Sequence, residues 1–219
     1  MKTNRWGVWM VKAQLILKDI FFPIFCVICQ AEGTILCSTC KNAQDNTGAF
    51  FDMPIVHAAI SLHAPGKVLT ALLYAYKYEG SDEAAMEIGR TVFLFGYTNK
   101  EWFAGADTVT YVPLHPRRLA ERGYNQAEYI AKRLSEAIDV PCERILARRR
   151  YTKQQARLDE SGREENVTGA FGVIGEVAGK RIVLVDDVYT TGATVVSCIE
   201  ELYSKGAAHV KVFTLLYRE

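Results

Sequence analysis

The residues with the clearest chemical capacity lie in one run, Arg181-Ile-Val-Leu-Val-Asp186-Asp187-Val-Tyr189-Thr190-Thr191-Gly192-Ala193-Thr194. An apolar strand ends on two adjacent carboxylates, and a hydroxyl-rich turn then enters a helix. Carboxylates accept hydrogen bonds from neighbouring hydroxyls. The N–H groups, threonine hydroxyls and dipole of the helix entry form a phosphate site, and Gly192 lets the backbone come close. A sugar phosphate fits both halves: phosphate in the turn, vicinal hydroxyls on the acids. A plainer alternative is a strand-end turn with Thr190 as a helix cap.

A second group is Cys26, Cys29, Cys37 and Cys40, two Cys-x-x-Cys pairs. Each pair can place two thiolates on one ion from one tight turn, and Gly33 helps the intervening loop fold back. Four thiolates at about 2.3 Å in a tetrahedron make a closed structural zinc site. Such an ion would fold a segment too small to fold alone. Buried free thiols are the alternative. A redox pair would need a surrounding βαβ unit, which the pattern does not provide. Cys142 and Cys198 stand apart and read as buried apolar residues.

A third group is cationic. From Arg117 to Arg157 there are eleven Lys or Arg against five Asp or Glu, while the chain as a whole has 26 against 25. Basic charge is therefore polarised. Arg148-Arg149-Arg150-Tyr151-Thr152-Lys153 interleaves cations with a ring, which suits single-stranded nucleic acid. The same charge would bind pyrophosphate or be solvated. His57 and His115 are candidate general bases, although a lone histidine is more often a hydrogen-bonded or surface residue.

These groups need positioning elements. Residues 8–25 read as a short amphipathic helix running into the apolar string 20–25. Residues 41–54 read as a polar linker and 55–63 as a strand. Pro65-Gly66 opens a helix with Val68, Leu69, Leu72, Leu73 and Tyr76 on one stripe, and a second helix covers 82–97. From residue 107 strands and helices alternate. Residues 108–113 form a strand, and Asn125 starts a helix with Ala127, Ile130, Ala131, Leu134 and Ile138 on one face. Residues 181–185 form a strand buried on both faces, 192–203 a helix ended by Lys205-Gly206, and 210–216 a last strand. Alternation of this kind predicts a parallel α/β sheet with right-handed crossovers. The polar stretch 150–170, with Tyr151, Lys153, Gln154, Gln155, Arg157 and Gly162, fits a lid over a site or a surface segment.

The 219 residues are 49% hydrophobic and 23% charged, with a net charge of +1. That is globular composition, and it excludes a disordered tail, a collagenous chain or a polybasic arm. Charged residues, among them Lys12, Lys18 and Asp19, interrupt the N-terminal stretch, so no membrane span or secretory signal is expected. Clustered rather than dispersed cysteines point to a reduced, cytoplasmic protein.

The Val-Asp-Asp-x-x-Thr-Thr-Gly-x-Thr arrangement resembles the phosphoribosyl pyrophosphate (PRPP) signature of type I phosphoribosyltransferases. Residues 112–118, Val-Pro-Leu-His-Pro-Arg-Arg, and 122–127, Arg-Gly-Tyr-Asn-Gln-Ala, resemble a further hallmark of the ComF family. That family is linked to competence and DNA uptake. It joins a four-cysteine zinc motif to a phosphoribosyltransferase-like domain, and the resemblance runs from about residue 20 to the end.

The resemblance implies a small zinc motif in residues 1–50 and a type I phosphoribosyltransferase-like α/β domain in residues 51–219, its parallel sheet flanked by helices. It implies that Asp186 and Asp187 hold the ribose hydroxyls as the catalytic acids. Thr190, Thr191, Gly192, Ala193 and Thr194 would hold the 5′-phosphate. The turn after strand 108–113 would face pyrophosphate carrying Mg2+. Arg117, Arg118, Arg122, Arg148, Arg149 and Arg150 are the candidate pyrophosphate or DNA contacts. Single-stranded DNA, a competence helicase or other DNA-uptake proteins are the implied partners. The protein would either handle DNA with PRPP as ligand or transfer phosphoribose to an acceptor.

Overall fold

Arg181–Tyr189 (β6) and His209–Tyr217 (β7) run parallel through eight paired positions, from Arg181↔His209 to Tyr189↔Tyr217. They form the middle of a five-stranded sheet of order β1-β2-β7-β6-β3, with Ala49–Phe51 as β1, Ala58–His63 as β2 and Thr108–Tyr111 as β3. The computed structural model describes residues 23–43, 49–51, 53, 58–63, 67–149 and 169–217. Residues 8–22 of the helix expected over 8–25, His57, Pro65-Gly66 and the segment 150–168 lie outside the described residues; residues 23–25 are not helical, and Phe25 forms a bridge with Glu32 instead.

Ile182, Val183, Leu184 and Val185 are no more than 1% exposed. Their continuous apolar character follows from cover on both faces. The pleat sends alternate side chains to opposite layers. Val183 and Val185 pack with Lys67–Tyr74 (α2), Asp82–Thr98 (α3) and Gln126–Ile138 (α5), through Leu69, Leu72, Ile88, Val92, Ile130 and Leu134. Ile182 and Leu184 pack with Ala193–Ser204 (α6), through Val195, Cys198, Ile199 and Leu202. A ribbon of Leu146–Arg148 (β4) and Phe171–Val173 (β5) completes that second layer.

The strands β2, β7, β6 and β3 are mutually parallel, as the alternation predicts. The stretch read as a polar linker contributes β1, which pairs antiparallel with β2 and makes the sheet mixed. Phe51 gives this segment its reason to pair: it stacks on Tyr217 at 4.5 Å and meets Tyr189 at 5.0 Å. Two shorter helices, Ser38–Asn42 (α1) and Pro116–Arg122 (α4), precede β1 and follow β3 respectively. No helix among the described residues is long and apolar enough to cross a membrane.

One asymmetry creates the site. β3 pairs with β6 only as far as Tyr111↔Val185, with one more bond from the Val112 N–H to the Val185 carbonyl, whereas β6 continues to Tyr189. The carboxyl end of β6 is thus flanked by β7 on one side and by the departing 112–125 segment on the other.

Candidate functional site at the carboxyl edge of the sheet

Asp186 and Asp187 sit inside β6, three and four residues past Val183 of its buried run. Being consecutive, they face opposite layers. Asp187 shares the face of Val183 and Val185 and meets Lys77, with Nζ 2.6 Å from Oδ2 and both side chains 17% exposed. Asp186 shares the face of Leu184, within electrostatic reach of Arg148 and Cys198. The Asp187 N–H donates to Asp186 Oδ1 at 2.8 Å. Burial, and then the Asp187 charge, push the Asp186 carboxyl up to about 8 against the pull of that N–H, Lys77 and Arg148. Thr214 is the register partner of Asp186 on β7, and its buried hydroxyl has no hydrogen-bond partner among the described residues. Burial and the same acid raise the Cys198 thiol well above its usual range.

The turn 190–192 leads into α6. Gly192 is the residue before the helix, at φ +76, and no side chain caps the helix there. A helix leaves its first N–H groups without internal partners, so this end presents donors and positive potential. A side chain at 192 would be strained by that φ and would also collide with the Tyr189 phenol. Tyr189 is held by Phe51 and Tyr217, so the turn lies against a packed aromatic cluster.

The 112–126 segment locks the other flank. Asn125 caps α5 by accepting from the Ala127 N–H at 3.0 Å and donates to the Val112 carbonyl at 3.0 Å. Tyr124 stacks on Tyr76 at 4.7 Å and 8°, and its hydroxyl donates to the Tyr76 carbonyl. Arg122 lies 5.6 Å over the Tyr78 ring and donates to Gln126 Oε1 at 2.7 Å. Tyr76, Lys77 and Tyr78 belong to a π-helical turn, Ala75–Glu79, that extends α2. Turns of this kind are rare and occur often at functional sites.

The candidate arginines separate into different environments. Arg148 is partly buried, with its guanidinium 5.2 Å over Phe171. Burial, and then the Arg118 charge, lower its pKa. Arg149 is exposed and Arg150 is outside the described residues, so the triple-arginine run is not a uniform stripe. Arg117 is exposed and pairs with Glu121 at 3.0 Å on α4, while Arg118 and Arg122 are partly buried. His115 caps α4, accepting from the Arg117 N–H at 3.2 Å.

The cysteines form a separate centre. Cys26, Cys29, Cys37 and Cys40 bring four sulfurs within 4.8 Å of one another, Cys29 and Cys37 at 3.6 Å. Sulfurs 2.3 Å from a tetrahedral centre lie about 3.8 Å apart, so the donor set fits a thiolate-bound metal ion. The hairpin closes through the Cys26 N–H to Ala31 carbonyl bond and the Gly33 N–H to Ile24 carbonyl bond, both 2.8 Å. Gly33 takes φ +103, which a glycine adopts without strain. Burial opposes ionisation of Cys26, but the N–H groups of Cys29, Cys37 and Ile28 bring its thiol down to about 6. Cys26 and Leu36 are buried with the α2 and α3 residues of the main core.

Lys77 is the residue that sequence reasoning missed. Its available signal was a cation between two tyrosines at the end of an apolar stripe, just before Gly80. The acid pair yields a test. A carboxyl whose folded pKa is raised keeps its proton where the unfolded chain has lost it, so stability falls as pH rises from about 4 to about 8. Asp186→Asn retains an acceptor for the Asp187 N–H and cannot ionise. Urea unfolding is expected to find the variant more stable than wild type near pH 8.5, by an amount on the order of a few kcal/mol that shrinks toward pH 5. A difference independent of pH would contradict this account.

Residues 120–219 match the family described as the phosphoribosyl transferase domain. The DNA utilization protein YhgH of Salmonella typhimurium is 26% identical over 97% of this chain and 91% of its own length. Competence protein F of Haemophilus influenzae is 27% identical over 89% of this chain and 84% of its own. Among solved structures, the glutamine phosphoribosylpyrophosphate amidotransferase from B. subtilis complexed with ADP and GMP aligns at 24% identity and a TM-score of 0.45. That alignment covers 64% of this chain and only 30% of the amidotransferase. The chain belongs to the ComF family, with a type I phosphoribosyltransferase-like fold and a four-cysteine cluster near its N-terminus.

Proposed function

We propose that this protein binds PRPP at the carboxyl edge of its sheet and works in the uptake or use of DNA, as the names of its relatives indicate for them. The observation that carries the reading is the acid pair within β6, followed directly by the glycine turn and the open amino end of α6. The 5′-phosphate takes the donors of Thr190, Thr191, Gly192, Ala193 and Thr194. Asp186 and Asp187 accept from the ribose hydroxyls. Mg2+ bound to the pyrophosphate of the substrate would supply neutralising charge to the leaving group of a transfer. A carboxylate beside the ribose also favours the positive ring charge of such a transfer. Release of pyrophosphate with candidate acceptors distinguishes transfer from binding alone.

With PRPP and Mg2+ the melting temperature is expected to rise by several degrees, following ligand linkage. The double variant Asp186→Asn, Asp187→Asn should stay folded and lose the rise. A rise that survives the double variant would move the site elsewhere.

The cysteine centre is assigned to structural zinc, since four thiolates in a closed set suit that ion. A reducing compartment, the cytoplasm, keeps such thiolates available. Metal analysis is expected to find one zinc per chain, and Cys29→Ser should lower both occupancy and melting temperature. Metal-free protein with an unchanged melting temperature would reject the assignment.

The DNA half of the reading rests on charge polarity. Exposed Arg117 and Arg149 and partly exposed Arg118 lie in the basic stretch between residues 117 and 157. Binding of a single-stranded oligonucleotide should fall steeply with salt and weaken further in the Arg117→Ala, Arg149→Ala double variant. Salt-independent binding, or affinity untouched by the double variant, would remove this surface from the account.

A further inference from the structure

Resting on the PRPP reading above, the geometry points to Lys77 as the positioning residue of the pentose subsite. It fixes the Asp187 carboxylate through one oxygen, leaves the other to accept a ribose hydroxyl, and cancels a charge that would repel a polyanionic sugar phosphate.

Three observations converge on this role. First, the Lys77–Asp187 pair is short, at 2.6 Å, and largely withdrawn from water. A charge-assisted bond of that kind holds a carboxylate in one orientation far better than an exposed pair does. Second, Lys77 is delivered by a π-helical turn rather than by a regular helix. The extra residue in the turn changes the direction of every side chain within it, and Lys77 meets the sheet edge while Tyr74 and Tyr78 are 58% and 65% exposed.

Third, the turn is held by the 122–126 segment. Tyr124 stacks on Tyr76 and bonds its carbonyl, and Arg122 covers Tyr78. Tyr76 also meets Tyr129 of α5 edge-on at 5.6 Å. Tyr76, the residue before Lys77, is therefore held by a stack, an edge contact and a hydrogen bond, while Arg122 lies over the exposed ring of Tyr78 on the other side. The Arg122-Gly-Tyr124-Asn125-Gln126 segment thereby acquires a physical purpose: it clamps α2 to the strand edge so that a lysine from another layer reaches Asp187.

The test measures PRPP and inorganic pyrophosphate binding, each with Mg2+, by calorimetry on the full chain. Lys77→Met should weaken PRPP about tenfold or more, while pyrophosphate, which does not engage Asp187, changes little. Lys77→Arg should restore most of the PRPP affinity. Tyr124→Phe keeps the ring stack, loses the bond to the Tyr76 carbonyl, and should weaken PRPP a few-fold. Equal PRPP affinity in wild type and Lys77→Met, equal loss for both ligands, or no rescue by arginine would overturn the assignment. Should Lys77→Met fail to fold, Tyr124→Phe at wild-type affinity would overturn it. Wild-type protein that ignores PRPP would reject the underlying reading, and the inference with it. That result differs from wild type binding normally alongside an indifferent Lys77→Met.

Discussion

Consecutive residues of a β-strand cannot point the same way. When a sequence places two acids side by side at positions 186 and 187, the pleat sends one into each of the two layers that sandwich the sheet. A buried carboxylate is costly unless a cation or hydrogen-bond donors compensate it. Each layer must therefore bring its own cation to the strand edge. The helical layer brings Lys77, in contact with Asp187, and the ribbon layer brings Arg148, within electrostatic reach of Asp186. Much of the local architecture, from the π-turn to the β4–β5 ribbon, follows from that requirement.

The two solutions are unequal. Lys77 pairs directly with its acid. Arg148 shares its surroundings with Arg118 and the Phe171 ring, and Asp186 is left with a carboxyl pushed up to about 8. An apolar pair of similar size would make a more stable strand end. Retention of two acids there is the behaviour expected of a site where stability yields to ligand chemistry. The Asp187 N–H donating into Asp186 and the close fit of Gly192 under Tyr189 tie that end of β6 to the turn that follows.

The cysteine hairpin and the sheet edge are connected through α2 and α3. Cys26 and Leu36 share a core with Leu69, Leu72 and Ile88, and Lys41 of α1 pairs with Glu87 of α3 at 2.7 Å. The same α2 continues into the π-turn that carries Lys77. Loosening the hairpin would therefore reach the acid pair through one continuous helix rather than across a linker.

Much was legible from residue order alone. The apolar run 182–185, the acids after it, the Gly192 helix entry and the apolar stripe of α5 each depend on local spacing, and each stands where its periodicity puts it. The paired cysteines are local too, since two tight turns and a short loop can hardly keep four sulfurs apart. Local spacing was silent about Lys77, which lies 110 positions from its partner in sequence, and about β1, whose pairing depends on aromatic neighbours on β6 and β7. It also presented Arg148 and Arg149 as equivalent cations, although one is turned inward and the other outward. Amino-acid order thus determined which chemical groups stand at the strand's tip, because that needs only the chain's own period. Only the packing of layers decided which distant cation neutralises which acid, because such pairing depends on where the chain returns in space.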